Sequence, residues 1–385
     1  MSVHKPRVVI FVDWYLPGCK AGGPVRSVAA MVAAFKHDFS FSIITSDRDF
    51  GDEKAYPTVP VNQWIEKDDY RVQYLSPSRR GRSSMKELLK RTPAEVYYFN
   101  SLFSLHYTLI PLLLLKGNRT SKKVLAPRGM LGAGALALKS GKKKLFLSLA
   151  KAFGLYKNIH WHASSDLEKE EVHQVFVSTA KVQVARNLSR PPEVPEADRV
   201  PKKDGMTRFF FLSRISRKKN LHFALKLLQT LPESGNYTFD IIGPVEDEEY
   251  WQECQALIEA LNPKVAVTHH GAVPFHQIGD LMKGLHFLLL PTFHENFGHV
   301  VVESMACGCP VLISENTPWK HLQQSQTGWD IPLQEKETWE KALRDAAQSS
   351  KAQFDNMSNA ARSFALQHLD DQQTLEANRQ LFKPN

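Results

Sequence analysis

Long apolar runs are scarce in this chain of 385 residues. The longest, Leu109–Leu115, is interrupted by Pro111 and falls far short of the ~20 residues a membrane-spanning helix needs. A cleavable leader is not expected either, because Val8–Val12 is too short for an apolar h-region and Asp13 follows at once. Cysteine is rare: Cys19, Cys254, Cys307 and Cys309 have no framework spacing. Cys307 and Cys309 stand too close for an ordinary zinc pair without further partners. A disulfide scaffold and a structural zinc site are thus excluded, and a reducing, cytoplasmic compartment is expected. Repeats and low-complexity tracts are absent. So is acid from one stretch: Ser101–Ala150 holds nine basic residues and no acidic one.

What is present is ordinary globular material, 43% hydrophobic and 23% charged, enough for two domains. The net charge of +9 is uneven. Residues 1–200 carry 31 Lys and Arg against 18 Asp and Glu (+13), and the remainder 18 against 22 (−4). A basic block of this kind faces an anionic partner (nucleic acid, an acidic membrane face or a phosphorylated substrate) or simply solubilises its surface.

Short apolar segments alternate with helical patterns along the whole chain. In the first half, strands are expected at Val8–Asp13, Phe39–Thr45, Tyr70–Leu75, Val96–Asn100, Lys123–Ala126, Ile159–Ala163 and Lys181–Ala185. In the second they are expected at Phe209–Leu212, Phe239–Ile242, Val265–Thr268, Leu285–Leu290 and Val311–Ile313, with helices between them. Strand–helix alternation predicts right-handed βαβ units and parallel sheets. Residues 191–206, rich in proline and poor in apolar side chains, read as a linker. The expected architecture is α/β: residues 1–190 and 207–365 form two Rossmann-like domains facing a cleft. Residues 366–385 form a last helix packing back toward the first domain. Ligands of such sheets bind at the carboxyl ends of the strands.

Four groups of residues could carry chemistry there. The first is PTFHENFGHVVVESMACGCP, Pro291–Pro310. A buried-type strand leads into a loop and then into a helix from about His299, the generic anion site of α/β proteins. Glu295 on the loop and Glu303 in the helix can both reach a ligand lying across the helix N-terminus, and a carboxylate accepts hydrogen bonds from neighbouring sugar hydroxyls. Glu303 lies among Val300, Val301, Val302 and Met305, so a carboxylate there needs a partner. The second is Arg214 and Lys219 in LSRISRKKNL, after the first strand of the second half. Together they suit a diphosphate leaving group, although Arg217 and Lys218 are rival cations and a solvated basic turn is the plainer reading. The third is Gly22 and Gly23 in the first strand–helix loop, where glycine lets backbone approach a ligand. The fourth is Arg128 in LAPRGM, at a strand end inside the acid-free block.

With these residues in place, the chain resembles a retaining family 4 glycosyltransferase of GT-B fold. The likeness is strongest over PTFHENFGHVVVESMACGCPVLIS followed by Thr317-Pro318-Trp319, similar to an ENFGH/TPW-type subgroup pattern. The resemblance implies that Glu295 contacts hydroxyls of the donor sugar and that Glu303 binds the donor ribose. Backbone around Asn296, Phe297 and Gly298 would hold sugar or phosphate. Arg214 and Lys219 match the pair that grips the diphosphate, and Gly22 and Gly23 match a loop near phosphate and acceptor. The segments beginning at Gly243 and ending at Val273 match those flanking the base pocket. Where many relatives carry a histidine this chain has Arg128, so that histidine's role is not transferred. Asn187 matches an asparagine of the pattern, although the usual following glycine is Leu188.

The expected activity is transfer of a sugar from a nucleotide-sugar, UDP- or GDP-linked, to a lipid-linked or oligosaccharide acceptor in surface polysaccharide biosynthesis. Neither cofactor nor metal is expected, the nucleotide-sugar being a substrate. The block around Lys142–Lys144 and LFLSLAKAFGL suggests peripheral contact with an anionic membrane. Two other readings stand beside this one. One is a non-transferring GT-B enzyme such as a UDP-sugar epimerase. The other is a basic protein that binds an anionic polymer; no nucleic-acid-binding motif supports nucleic acid as that polymer.

Overall fold

The computed structural model describes residues 4–132, 140–176 and 180–384. The chain forms two compact units, Met1–Leu188 with Asp371–Asn385, and Ser189–Asp370.

The first unit is built on β1 (Arg7–Phe11), β2 (Ser40–Ser46), β3 (Trp64–Lys67), β4 (Tyr70–Leu75), β5 (Val96–Phe99), β6 (Lys122–Leu125), β7 (His160–Ala163) and β8 (Lys181–Val184). They form one sheet in the order β3-β4-β2-β1-β5-β6-β7-β8. Only the β3–β4 pair at the edge is antiparallel. The strands read as continuous apolar runs because both faces are covered. In β1, Val8 and Ile10 face one core while Val9 and Phe11 face another. The helix Gln372–Phe382 closes the first of these cores. The Phe382 ring packs against Phe35, Phe39, Phe41 and Tyr98 at centroid distances of 6.2, 5.7, 5.2 and 5.6 Å. Each such aromatic pair adds ~0.5–1.5 kcal/mol beyond burial.

The second unit holds β9 (Met206–Leu212), β10 (Asn236–Ile242), β11 (Val265–Gly271), β12 (Phe287–Leu290), β13 (Val311–Ser314) and β14 (Gly328–Ile331). They form a six-stranded sheet in the order β11-β10-β9-β12-β13-β14. All its pairs are parallel. The helices Leu221–Leu228, Glu248–Glu259, Phe275–Met282 and His299–Ala306 connect successive strands. Both sheets therefore reverse their direction of winding once, between β1 and β5 in the first and between β9 and β12 in the second. In open α/β sheets such a reversal opens a crevice at the strand ends, the usual ligand position.

The stretch at 191–206 is not a free linker. It lies in the second unit, where Val194 is buried in the core. Arg199 donates to Leu285 O at 3.0 Å and to Cys307 O. Lys202, almost wholly buried, donates to Ser349 O at 2.7 Å. The prolines keep the segment extended while long side chains tie it down. The second unit runs on through the helix Lys351–Leu369, and the chain returns to the first unit only at Asp371. No helix among the described residues is long and apolar enough to cross a membrane.

Candidate functional site

The winding reversal of the second sheet puts Arg214 and Lys219 after β9 and Glu295 after β12, on neighbouring strand ends, with Glu303 in the helix that follows, His299–Ala306. β9 ends at Leu212, Arg214 follows, and Lys219 closes the short 3-10 turn Arg217–Lys219. β12 ends at Leu290 and leads into the loop bearing Glu295. Backbone joins the two loops: Phe293 N donates to Lys218 O at 2.9 Å, and Asn220 Nδ2 donates to Pro291 O at 3.0 Å. The Lys219 ammonium is thereby held in an ion pair with the Glu295 carboxylate, their side chains only 11% and 15% exposed. Arg214 Nη1 donates to Glu246 Oε1 at 2.7 Å, at a more open position. The rival Arg217 is drawn away: it pairs with Glu253 at 2.6 Å and lies 5.3 Å over the Tyr250 ring.

The Glu295 loop is shaped by its own motif. Gly298 stands in left-handed backbone (φ 74°) as the cap of the helix His299–Ala306. A Cβ there would come within 3.3 Å of Val301 Cγ2 and 3.5 Å of Trp319 Nε1, so the position favours glycine twice over. Trp319 Nε1 donates to Phe297 O at 2.6 Å, and Trp319 N donates to Thr317 Oγ1 at 3.2 Å. The distant Thr-Pro-Trp thus clamps the Glu-Asn-Phe-Gly turn. Asn296 is half-buried beside it.

Glu303 sits mid-helix and is fully buried. Ser189 Oγ donates to Glu303 Oε1 at 3.4 Å and lies 3.0 Å from His299 Nδ1. The partner that a buried carboxylate demands includes Ser189, expected at the end of the first domain and found at the start of the second unit. Ser189 escaped sequence reasoning because nothing in Asn187–Arg190 marks it. Gly243, after β10, has a packing role: a Cβ there would fall 2.0 Å from Ser213 O, so the ends of β9 and β10 approach closely only without one. The Trp251 ring lies 4.5 Å from that of His269, tilted by 48°. Val273 is half-buried against the core of this unit.

In the first unit Asp13, Gly22 and Gly23 follow β1, and Arg128 follows β6, two strands away across β5. Gly22 caps the helix Gly23–Phe35, with open space where its side chain would be. The loop before it is held by Asp49, whose Oδ2 accepts from Cys19 N at 2.7 Å and Lys20 N at 3.0 Å. Arg128 follows β6 and has φ 56°. Its guanidinium donates through Nε to Asn100 Oδ1 at 2.8 Å, through Nη2 to Tyr98 OH at 2.8 Å, and through Nη1 to Asn187 Oδ1. Tyr98 OH bonds His162 Nδ1 at 2.7 Å, and His162 Nε2 donates to Ala185 O at 2.8 Å. Burial first, and the Arg128 charge second, push the His162 pKa down to about 3, so His162 is neutral here. Asp13, unassigned from sequence, takes a 2.6 Å hydrogen bond from Ser104 Oγ, and burial raises its pKa. The signal was there: an apolar strand ending in an acid at a sheet's winding reversal.

The basic stretch falls partly outside the described residues, since residues 133–139 and the side chains of Lys142 and Lys144 are among those not described.

Comparison with known proteins matches residues 195–364 to the family model described as Glycosyl transferases group 1. The O-antigen chain mannosyltransferase RfbU of Salmonella typhimurium is 24% identical over 181 residues, covering 47% of this chain and 48% of that one. The matches span between 26% and 48% of the length of the curated relatives. Across the full length, sucrose-phosphate synthase from Thermosynechococcus elongatus superposes with a TM-score of 0.71 at 15% identity, covering 98% of each chain. Anabaena Alr3699/HepE, solved in complex with UDP-glucose, gives 0.66 at 14% identity and the same coverage. The fold is therefore that of the GT-B glycosyltransferases, two Rossmann-like parallel-sheet units.

Proposed function

We propose that this protein is a retaining glycosyltransferase that moves a hexosyl group from a UDP- or GDP-sugar to a lipid-linked or oligosaccharide acceptor in surface polysaccharide synthesis. One observation carries the reading: the Lys219–Glu295 ion pair at the winding reversal of the second sheet, with Arg214 on the same strand end. The likeness of residues 195–364 to Glycosyl transferases group 1 supports it.

In this reading the donor diphosphate takes over Lys219 and Arg214 from their present carboxylate partners, Glu295 and Glu246. Glu295, released from its cation, turns its oxygens to hydroxyls of the donor sugar. The Ser189 hydroxyl occupies an acceptor position on Glu303 that the ribose would claim. As the bond from the anomeric carbon to the diphosphate breaks, negative charge grows on the leaving oxygens, where two fixed cations stabilise it more than they stabilise the ground state. The acceptor hydroxyl attacks from the leaving-group face and passes its proton to the departing phosphate, so configuration is kept without an enzyme nucleophile. Two cations do the work a Mg²⁺ would otherwise do. Arg128, held by three side chains, acts as a positioning residue at the acceptor end.

A thermal-shift panel of UDP, GDP, ADP and their sugar conjugates, with and without EDTA, tests this. The reading requires one nucleotide series to raise the melting temperature, EDTA to leave that shift alone, and Glu303→Ala to abolish it. Indifference to every nucleotide would favour the binding-protein alternative. Release of free UDP with no acceptor present would favour the epimerase-like one.

A further inference from the structure

We propose that the strand ends at the winding reversal of the first sheet form a saccharide site, where an uncharged pyranose ring of the acceptor packs on Trp14 and Phe50 and places a hydroxyl on the Asp13 carboxylate. The inference rests on the sugar-transfer reading and narrows its acceptor: the group held at this position is a sugar hydroxyl and not a phosphate. Three adjacent strands supply the site, in the sheet order β2-β1-β5. β1 runs into Asp13 and Trp14, and β2 into the loop carrying Phe50. Ser46 N and Thr45 Oγ1 donate to Asp13 O at 3.2 and 3.3 Å, which ties those two ends together. Ser104, after β5, donates from Oγ to Asp13 Oδ1 at 2.6 Å. Among the described residues no other side chain hydrogen-bonds or ion-pairs with this carboxylate, so it keeps acceptor capacity for a ligand. The Trp14 and Phe50 rings meet edge to face, 5.0 Å between centroids at 86°. Trp14 is half-buried and Phe50 is 37% exposed, and neither belongs to a core of the unit. Phe50 is held in place: its N donates to Asp49 Oδ1 at 2.8 Å, and Asp49 Oδ2 accepts from Cys19 N. A pyranose has C–H faces and a rim of hydroxyls, so it suits an aromatic surface beside a carboxylate.

Charge decides between a sugar and a phosphate. The loops 13–22, 46–56 and 100–106 hold five Asp and Glu against three Lys and Arg (−2), within a half of the chain that carries +13. Their cations are already engaged: Lys20 pairs with Asp52, and Arg48 with Asp47 at 2.9 Å. Arg80, which reaches in from beyond β4, shares Asp47 at 2.9 Å. An incoming phosphate would meet net negative charge, whereas an uncharged polyol meets no such repulsion. The Tyr107 hydroxyl adds a donor. It is buried with no hydrogen-bond partner among the described residues, and Ser104 joins its backbone to Asp13 by accepting from Tyr107 N at 3.1 Å. Burial pushes its pKa up and Asp13 adds to the rise, so it stays protonated. A ligand hydroxyl, or a water that comes with it, would satisfy Tyr107 while donating to Asp13, since a hydroxyl both accepts and donates.

The test is saturation-transfer NMR of the full chain with methyl α-glucopyranoside, methyl α-mannopyranoside and methyl α-galactopyranoside, each with and without the nucleotide that raises the melting temperature. At least one glycoside should take up saturation from the protein. Trp14→Ala and Asp13→Asn should each weaken its binding about tenfold or more, the loss typical of truncating an anchoring contact. Both variants should keep the nucleotide-induced thermal shift, because neither residue belongs to the second unit. Should Trp14→Ala melt early, Phe50→Ala changes a more exposed ring and gives the same reading. No binding of any of the three glycosides, or binding undiminished in the variants, would overturn the proposal. Displacement of the glycoside by inorganic phosphate would overturn it as well, in favour of an anion at the helix N-terminus that Gly22 caps. Failure of the donor reading looks different: no nucleotide would then shift the melting temperature of the wild type, and the glycoside titration without nucleotide would still decide this site.

Discussion

Replacing Lys219 with methionine removes the cation from an ion pair whose two side chains are 11% and 15% exposed, and so leaves the Glu295 carboxylate desolvated beside an apolar stem. Removal of one partner from a largely buried pair destabilises by about 3 kcal/mol. Glu295→Gln, leaving Lys219 alone, should act in the same direction. The double variant Lys219→Met/Glu295→Gln leaves neither charge behind, so its loss should be smaller than the sum of the two by about 1–3 kcal/mol. Urea unfolding followed by tryptophan fluorescence reads this coupling, with Trp319 and Trp329 reporting from the second unit. Activity should separate from stability. Transfer should fall about 10²–10³-fold in Lys219→Met, the loss typical of removing one group that stabilises developing charge. Glu295→Gln should not restore it if, as proposed, the lysine's partner in the transition state is the diphosphate. Additive stabilities within about 0.5 kcal/mol would show that the pair is not coupled. Near-normal transfer in Lys219→Met would show that it is not in the site.

Other perturbations follow from the same geometry. Gly243→Ala puts a Cβ 2.0 Å from Ser213 O; the second unit should lose several kcal/mol, about 3 or more, read as a lower urea midpoint. Gly298→Ala should cost about 1–2 kcal/mol for the left-handed backbone alone and weaken nucleotide binding more than it weakens stability. Arg128→Met strips a donor from Asn100, Asn187 and Tyr98 and should lower transfer with the nucleotide-induced thermal shift retained. Acid should destabilise both units: His162 and His286 have folded pKa values of about 3, mainly through burial, against an ordinary 6.5. Because the unfolded chain protonates them first, stability is full above pH 6.5 and falls by about 1.4 kcal/mol per pH unit for each histidine as pH drops toward 3. Urea midpoints at descending pH should show this slope, with the first unit's contribution lost in His162→Asn and the second unit's retained.

Much of the architecture was legible because parallel strands buried on both faces leave uninterrupted apolar runs; Tyr70–Leu75 was located to the residue. β14, read Gly-Trp-Asp-Ile, was not, since a four-residue edge strand carries too few apolar positions to stand out. β3 escaped for a related reason: it is a four-residue edge strand with Trp64 and Ile65 half-buried and Glu66 and Lys67 exposed. Residues 191–206 misled because their few apolar and long basic side chains are tied down individually, Val194 by packing and Arg199 and Lys202 by carbonyl oxygens, and composition does not register single anchors. Lys219 and Glu295 were legible as residues on loops that follow two strands, and the structure pairs them. Ser189 on Glu303 and the chain from Arg128 through Tyr98 to His162 were not, because contacts between residues far apart in sequence leave no local pattern.

The most direct test of the central claim is a crystal structure with the nucleotide that the thermal-shift panel selects. The account predicts its diphosphate against Lys219 and Arg214 and its ribose hydroxyls on Glu303, with the Ser189 hydroxyl displaced. A nucleotide bound elsewhere, with the Lys219–Glu295 pair intact, would contradict it.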